Sequence, residues 1–152
     1  MARGVVFLGT GMVAVAALEA LCEADELISL VVTQPDKPKG RGRKLSPPPV
    51  KERALELGLP VYQPENVNDP KALERISSSA PEYLVVADYG QLLKGPLLKL
   101  APGGAINVHP SLLPTGRGPA PVAWAILSGD RETGVSTMLL DSGMDTGPVL
   151  LQ

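Results

Sequence analysis

Cysteine, histidine, tryptophan and phenylalanine each occur once in this chain of 152 residues. The lone Cys22 excludes an internal disulfide framework and suits a reducing compartment. It falls on a predicted helix far from the lone His109, which leaves no cluster to ligate a metal. Aromatic residues make up 3% of the chain, so the core has to be built from aliphatic side chains; a hydrophobic content of 44% can supply them. No apolar run approaches the ~20 residues that cross a bilayer. The apolar run within the opening MARGVVFLGTGM is too short for a signal-peptide core. A cytoplasmic protein with no membrane partner is expected. Positive charge is not in excess either: the formal net charge is −2, which argues against a general nucleic-acid binder and confines any basic surface to a local patch.

What is abundant is proline and glycine, 16 of each. They stand at junctions between apolar segments, where the loops of an α/β fold belong. Continuous apolar runs predict buried strands at 4–8, 28–33, 59–62, 83–87, 104–108, 135–140 and 149–151. Ala14, Ala17, Leu18 and Leu21 fall on one face at helical spacing. Further helices are predicted over 47–57, which starts in prolines and ends at Gly58, over 70–77 and over 119–127. Residues 34–46 read as a loop. Strands alternating with helices predict a Rossmann-like α/β fold, mostly parallel, with helices on both faces. Sites in such sheets lie beyond the carboxyl ends of the strands. Asp88-Tyr89-Gly90 and Asn107-Val108-His109 both fall at such ends.

Three stretches carry candidate chemistry. Gly9-Thr10-Gly11-Met12-Val13-Ala14 fits G-x-G-x-x-A between a strand and a helix, the outline of a dinucleotide fingerprint. Its confirming feature, an acid at the end of the second strand, is missing, because Asp36 falls in a Pro-flanked loop. NAD is therefore not expected, and a tight turn that lets helix pack on strand is the preferred reading. Lys37 to Lys44 reads KPKGRGRK, with five cations in a net-acidic chain. A contact to RNA or polyphosphate and a plain solvated loop are equal readings of it. The segment INVHPSLLP holds Asn107 and His109, two residues apart on a strand and so on the same side. An amide donor and an imidazole there could hold a carbonyl oxygen as it becomes an oxyanion. A carboxylate would orient the imidazole. Asp141 and Asp145, both in the loop DSGMDTG, compete for that place, with Asp141 also fitting a turn cap. No Gly-x-Ser-x-Gly elbow is present, so Ser111 is a poor nucleophile.

INVHPSLLP followed by Asp141-Ser-Gly-Met-Asp-Thr-Gly147 resembles the folate-dependent formyltransferases. The basic stretch 34–45, running on to Lys51, is similar to an insert in the branch acting on methionyl initiator tRNA. Tyr89-Gly90-Gln91-Leu92-Leu93 looks like a folate-lining loop of that family. The resemblance implies formyl transfer from 10-formyltetrahydrofolate to the α-amino group of the methionyl residue. Asn107 and His109 would stabilise the oxyanion, and Asp145 would tune His109. Ser111, Leu112, Leu113 and Pro114 would line the folate site with Gln91, Leu92 and Leu93. Lys39, Arg41, Arg43 and Lys44 would reach the tRNA. A small amine as acceptor, or an inactive fragment, are the alternatives. Two stretches depart from the family pattern: Gly9-Thr10-Gly11 replaces Gly-Thr-Pro, and Thr115-Gly116 stands where a basic and an aromatic residue are common. The resemblance further implies that residues 1–152 are an incomplete N-terminal catalytic domain, poorly active alone. A C-terminal β-barrel that binds tRNA would be absent from it, and the complete parent would be a monomer.

Overall fold

The structure, a computed structural model, describes residues 4–152. The first three residues of the opening segment lie outside them. The chain opens with β1 (Val5–Gly9), buried along its whole length. The 12-residue α1 (Met12–Glu23) and then β2 (Ile28–Val32) follow. Next come two short strands, β3 (Lys37–Lys39) and β4 (Lys44–Ser46), paired antiparallel as a hairpin. The predicted loop at 34–46 therefore carries a small sheet of its own. Pro38 hides this hairpin in the sequence, and the turn relies on Gly40 and Gly42, both at positive φ, with Arg43 also at φ 48°.

The chain continues through α2 (Pro49–Glu56), β5 (Val61–Tyr62), α3 (Pro70–Ser77) and β6 (Tyr83–Ala87). After them come α4 (Gly95–Leu98), β7 (Ala105–His109), α5 (Pro121–Leu127), β8 (Ser136–Leu139) and β9 (Val149–Leu151). Helices α2, α3, α4 and α5 all carry proline in their first turn, where its missing N–H has no partner to lose. The four-residue α4 is not predicted from the sequence because one turn is too short to show a period.

The seven-stranded sheet has the order β5-β2-β1-β6-β7-β8-β9. Strands β5, β2, β1, β6 and β7 run parallel, whereas β8 is antiparallel to β7, and β9 to β8. Alternation along β1 divides the core between two faces. Val6 and Leu8 pack with Leu30, Leu84, Ile76 of α3 and Leu97 of α4. Val5 and Phe7 pack with Leu18 of α1 and with Val50 and Ala54 of α2. One irregularity interrupts this alternation. The β1–β2 register passes from Val5↔Ile28 to Val6↔Leu30, leaving Ser29 as an extra residue. Its hydroxyl donates to the Val5 carbonyl at 3.2 Å, and the bulge lets Ile28 and Val31 face the same side.

The G-x-G turn follows the packing reading. A Cβ on Gly9 would lie 2.6 Å from the Ala14 Cβ and 2.8 Å from the Ala87 carbonyl oxygen. Glycine is needed there so that α1 can approach β1 closely.

Candidate active site

The chain runs outward from β1 through β2 to β5, then returns to build β6 and β7 on the other side of β1. That reversal opens a crevice beyond the carboxyl ends of β1 and β6, where ligands of open α/β sheets bind. A cleft of about 880 Å³ lies there, walled by residues 88–93, 107–110, 118–122 and 140–145 together with Val13 and Val86. Its size is at the upper end for small-molecule sites. Leu92, Leu93, Val122 and Met144 make its walls largely apolar.

Asn107 and His109 enter this cleft together from β7, as the strand alternation requires. His109 is buried, with its side chain 8% exposed. Its Nε2 lies 2.7 Å from the Gly116 carbonyl oxygen, and because a carbonyl can only accept, Nε2 carries a proton in this arrangement. The same nitrogen lies 3.8 Å from Asp145 Oδ2, the distance of an ion pair when the ring is doubly protonated. The Gly118 amide donates to that Asp145 oxygen at 2.7 Å, which fixes the carboxylate. The Asn107 side chain makes no hydrogen bond to another described residue, so its amide is free toward the cleft.

The two acids of the DSGMDTG loop separate cleanly. Asp141 Oδ1 accepts from the Gly143 amide at 2.8 Å and the Thr146 hydroxyl at 2.9 Å, so it builds the turn. Asp145, at φ 52°, projects to His109. Gly147 completes this loop, because a Cβ there would collide with the Leu139 carbonyl oxygen.

Gln91, Leu92 and Leu93 line the cleft, and the Gln91 side chain ties this loop to the segment after β5. Its Oε1 accepts from the Val67 amide at 2.8 Å, and its Nε2 donates to the Glu65 carbonyl at 3.0 Å. Ser111, Leu112, Leu113 and Pro114 are not among the lining residues. The hydrogen bonds of this segment brace the loop behind His109. Ser111 Oγ donates to the Thr115 carbonyl at 2.7 Å. The buried Ser136 hydroxyl donates to the Ser111 carbonyl at 2.7 Å and accepts from the Leu113 amide at 3.1 Å. This bracing positions Gly116, the partner of His109.

Lys39, Arg41, Arg43 and Lys44 are exposed on the β3–β4 hairpin and make no side-chain hydrogen bond or ion pair with other described residues. Asp88, placed by the sequence at a carboxyl strand end but given no role there, is a further residue of the cleft. It sits at φ 45° at the end of β6, on the cleft wall, with its carboxylate against Gly11. Any side chain at position 11 would strike that carboxylate, which gives the Gly-Thr-Gly departure a local reason. Partial burial pushes the Asp88 carboxyl above its ordinary pKa. Its signal in the sequence is weak: an acid directly after a buried strand.

Fold and site together define an α/β domain whose cleft presents a free amide donor beside a carboxylate-paired imidazole. The sequence matches the model of the formyl transferase family over residues 2–152, and the chain belongs to that family. It is 49% identical over its whole length to the methionyl-tRNA formyltransferase of Thermodesulfovibrio yellowstonii, covering 49% of that protein. It is 54% identical over 148 residues to the methionyl-tRNA formyltransferase of Chloroflexus aurantiacus, covering 48% of it. The chain thus spans about half the length of these curated relatives. Among solved structures it resembles glycinamide ribonucleotide transformylase 1 from Geobacillus kaustophilus, with TM-score 0.73 and 30% identity over 99% of this chain and 80% of that one. No helix among the described residues is long and apolar enough to cross a membrane.

Proposed function

We propose that this chain carries the chemistry of an enzyme that moves a formyl group from 10-formyltetrahydrofolate to the α-amino group of methionyl initiator tRNA. The observation that carries the reading is the convergence of Asn107 with the His109–Asp145 pair on one cleft. Two transferases of the family that act, by name, on methionyl-tRNA share about half of its residues.

Attack by the amine nitrogen on the formyl carbon forms a new C–N bond and puts negative charge on the formyl oxygen. The free Asn107 amide is suited to donate to that oxygen, and an imidazolium at His109 adds a second stabilising charge. Asp145, 3.8 Å from Nε2, holds the ring in place. Collapse breaks the bond from the formyl carbon to the folate nitrogen. A proton on His109 can pass to that leaving nitrogen, and the imidazole so freed takes up the proton lost by the attacking amine. The apolar wall of Leu92 and Leu93 suits a flat heteroaromatic donor. Ser111 to Pro114 act from behind by holding the His109 loop. The exposed cations Lys39, Arg41, Arg43 and Lys44 suit a phosphate backbone, and the relation to methionyl-tRNA enzymes favours tRNA over a small amine.

The test uses the full gene product with 10-formyltetrahydrofolate and methionyl initiator tRNA. Formylated aminoacyl-tRNA is the expected product. Replacing Lys39, Arg41 and Arg43 together by Ala is expected to lower kcat/KM and flatten its dependence on salt, by about 0.7–0.9 in the log–log slope for each phosphate no longer neutralised. Absence of transfer by the parent, or equal transfer to a free small amine, contradicts the reading.

A further inference from the structure

The basic hairpin has almost no anchorage along its length. Every residue of β3 and β4 except Ser46 is exposed. A gap of about 220 Å³ separates its Lys37–Lys39 edge from the Thr10-Gly11 turn. An isolated two-stranded hairpin is marginal in water, so its direction depends on what holds its root.

The root is tied by a continuous polar chain. Lys51, in the first turn of α2, donates to both oxygens of Asp36, at 2.9 and 3.0 Å. Asp36 precedes β3 and Lys51 follows β4, so this ion pair clips the two ends of the excursion together. Gln63, just past β5, donates from Nε2 to Asp36 Oδ1 at 2.7 Å and to the Gln34 carbonyl at 3.0 Å. The Gln34 side chain reaches the cleft loop: its Nε2 donates to the Tyr89 carbonyl at 3.1 Å, and its Oε1 accepts from Gln91 at 3.3 Å. The chain of contacts therefore runs from hairpin to donor-side loop without a break.

We infer that Asp36 is a positioning residue: clipped by Lys51 and Gln63, it fixes the angle at which the basic hairpin presents a polyanionic substrate to the cleft. The inference rests on the formyl-transfer reading and adds to it how the two substrates are brought into register. The hairpin supplies charge, and the root supplies direction. Asp36 and Lys51 themselves cancel in charge, so they contribute little to the attraction.

This division has a distinct signature. In the full gene product, Asp36→Ala is expected to reduce kcat/KM for the tRNA about ten- to hundredfold through misplacement of the reacting end. The KM for the formyl donor stays within about twofold and the salt slope stays unchanged, because the phosphate contacts survive. Lys51→Met gives the same loss, and the double variant is no worse than either single one, as for two members of one unit. A wild-type rate for Asp36→Ala, a flattened salt slope, or additive losses would each overturn the inference. A second measurement needs no substrate. In a background cleared of native cysteines, Cys22 among them, spin labels at Arg41→Cys and Glu56→Cys are expected to show a narrow distance distribution that broadens with Asp36→Ala. An unchanged distribution overturns the positioning role whatever the enzyme acts on, whereas a parent that fails to formylate tRNA counts against the functional reading alone.

Discussion

At the residue scale the clearest record is the pair on β7. Strand alternation places Asn107 and His109 on one side of the sheet from the sequence alone, and the cleft receives both. The choice between Asp141 and Asp145 is not legible from spacing, because both stand in one glycine-rich loop, and in the sequence only the family resemblance points to Asp145. It is decided by which backbone amides cap which carboxylate. Two residues give stability predictions. The Thr33 hydroxyl is buried with no partner among the described residues. Thr33→Val removes that unpaired group at constant shape and is expected to stabilise the fold by about 1 kcal/mol, read from denaturant midpoints. For Asp88, burial raises the folded-state pKa above the unfolded one. Its charged form therefore works against folding at neutral pH, and the stability it allows is greatest in acid and is lost as pH rises through the folded pKa. Asp88→Asn is expected to raise Tm at pH 7, with the difference shrinking toward zero below about pH 4, where the carboxyl is protonated in both states. A constant difference across pH contradicts the desolvation account. The opposite shift holds at Asp36, where hydrogen bonding from Gln63 and then Lys51 holds the carboxyl below its usual range. Its clip is accordingly present above the ordinary carboxylate range and fails as pH falls through the lowered value.

At the element scale, apolar runs locate the long strands, helical spacing marks the buried face of α1, and proline starts locate α2, α3 and α5 to within a few residues. The small elements escaped because they have no periodicity to read: the hairpin strands are three residues long, and α4 is four. Strand direction was only partly legible. The helix α5 between β7 and β8 suggests a parallel crossover, yet β8 returns antiparallel, with His109 opposite Ser136. That register carries function, because Ser136 is the buried hydroxyl that fastens the Ser111–Leu113 backbone behind His109. The β8–β9 connection depends on Gly147, whose neighbourhood admits no side chain. Gly147→Ala is expected to cost about 1–3 kcal/mol by pushing the loop from β8. Because Asp145 rides on the same loop, the variant should also lose activity at temperatures where it remains folded. Full activity in the folded variant would show that the loop tolerates displacement.

At the scale of the whole molecule, the sheet order brings segments distant in sequence to one crevice: Val13 in the first turn of α1, the loop after β6, the end of β7 and the loop after β8. Fold class and the position of the cleft were legible because they follow from strand–helix alternation. The root of the hairpin was not, since it joins Gln34, Asp36, Lys51, Gln63 and Gln91 through side chains whose identities suggest nothing when read singly. Large apolar side chains left exposed are concentrated on α5 and β9, among them Trp124, Ile126, Leu127 and Leu151. Val122 of α5 lies on the cleft wall, and none of these exposed side chains belongs to the aliphatic core on either face of the sheet.

The central claim is that the free amide of Asn107, beside His109 and Asp145, stabilises charge that develops only during formyl transfer. Steady-state kinetics of Asn107→Ala in the full gene product test it most directly. The account predicts that kcat falls by about 10²–10³ while the KM values for tRNA and formyl donor change little, as for loss of one oxyanion donor. A kcat within about threefold of the parent, or a loss confined to KM, would contradict it.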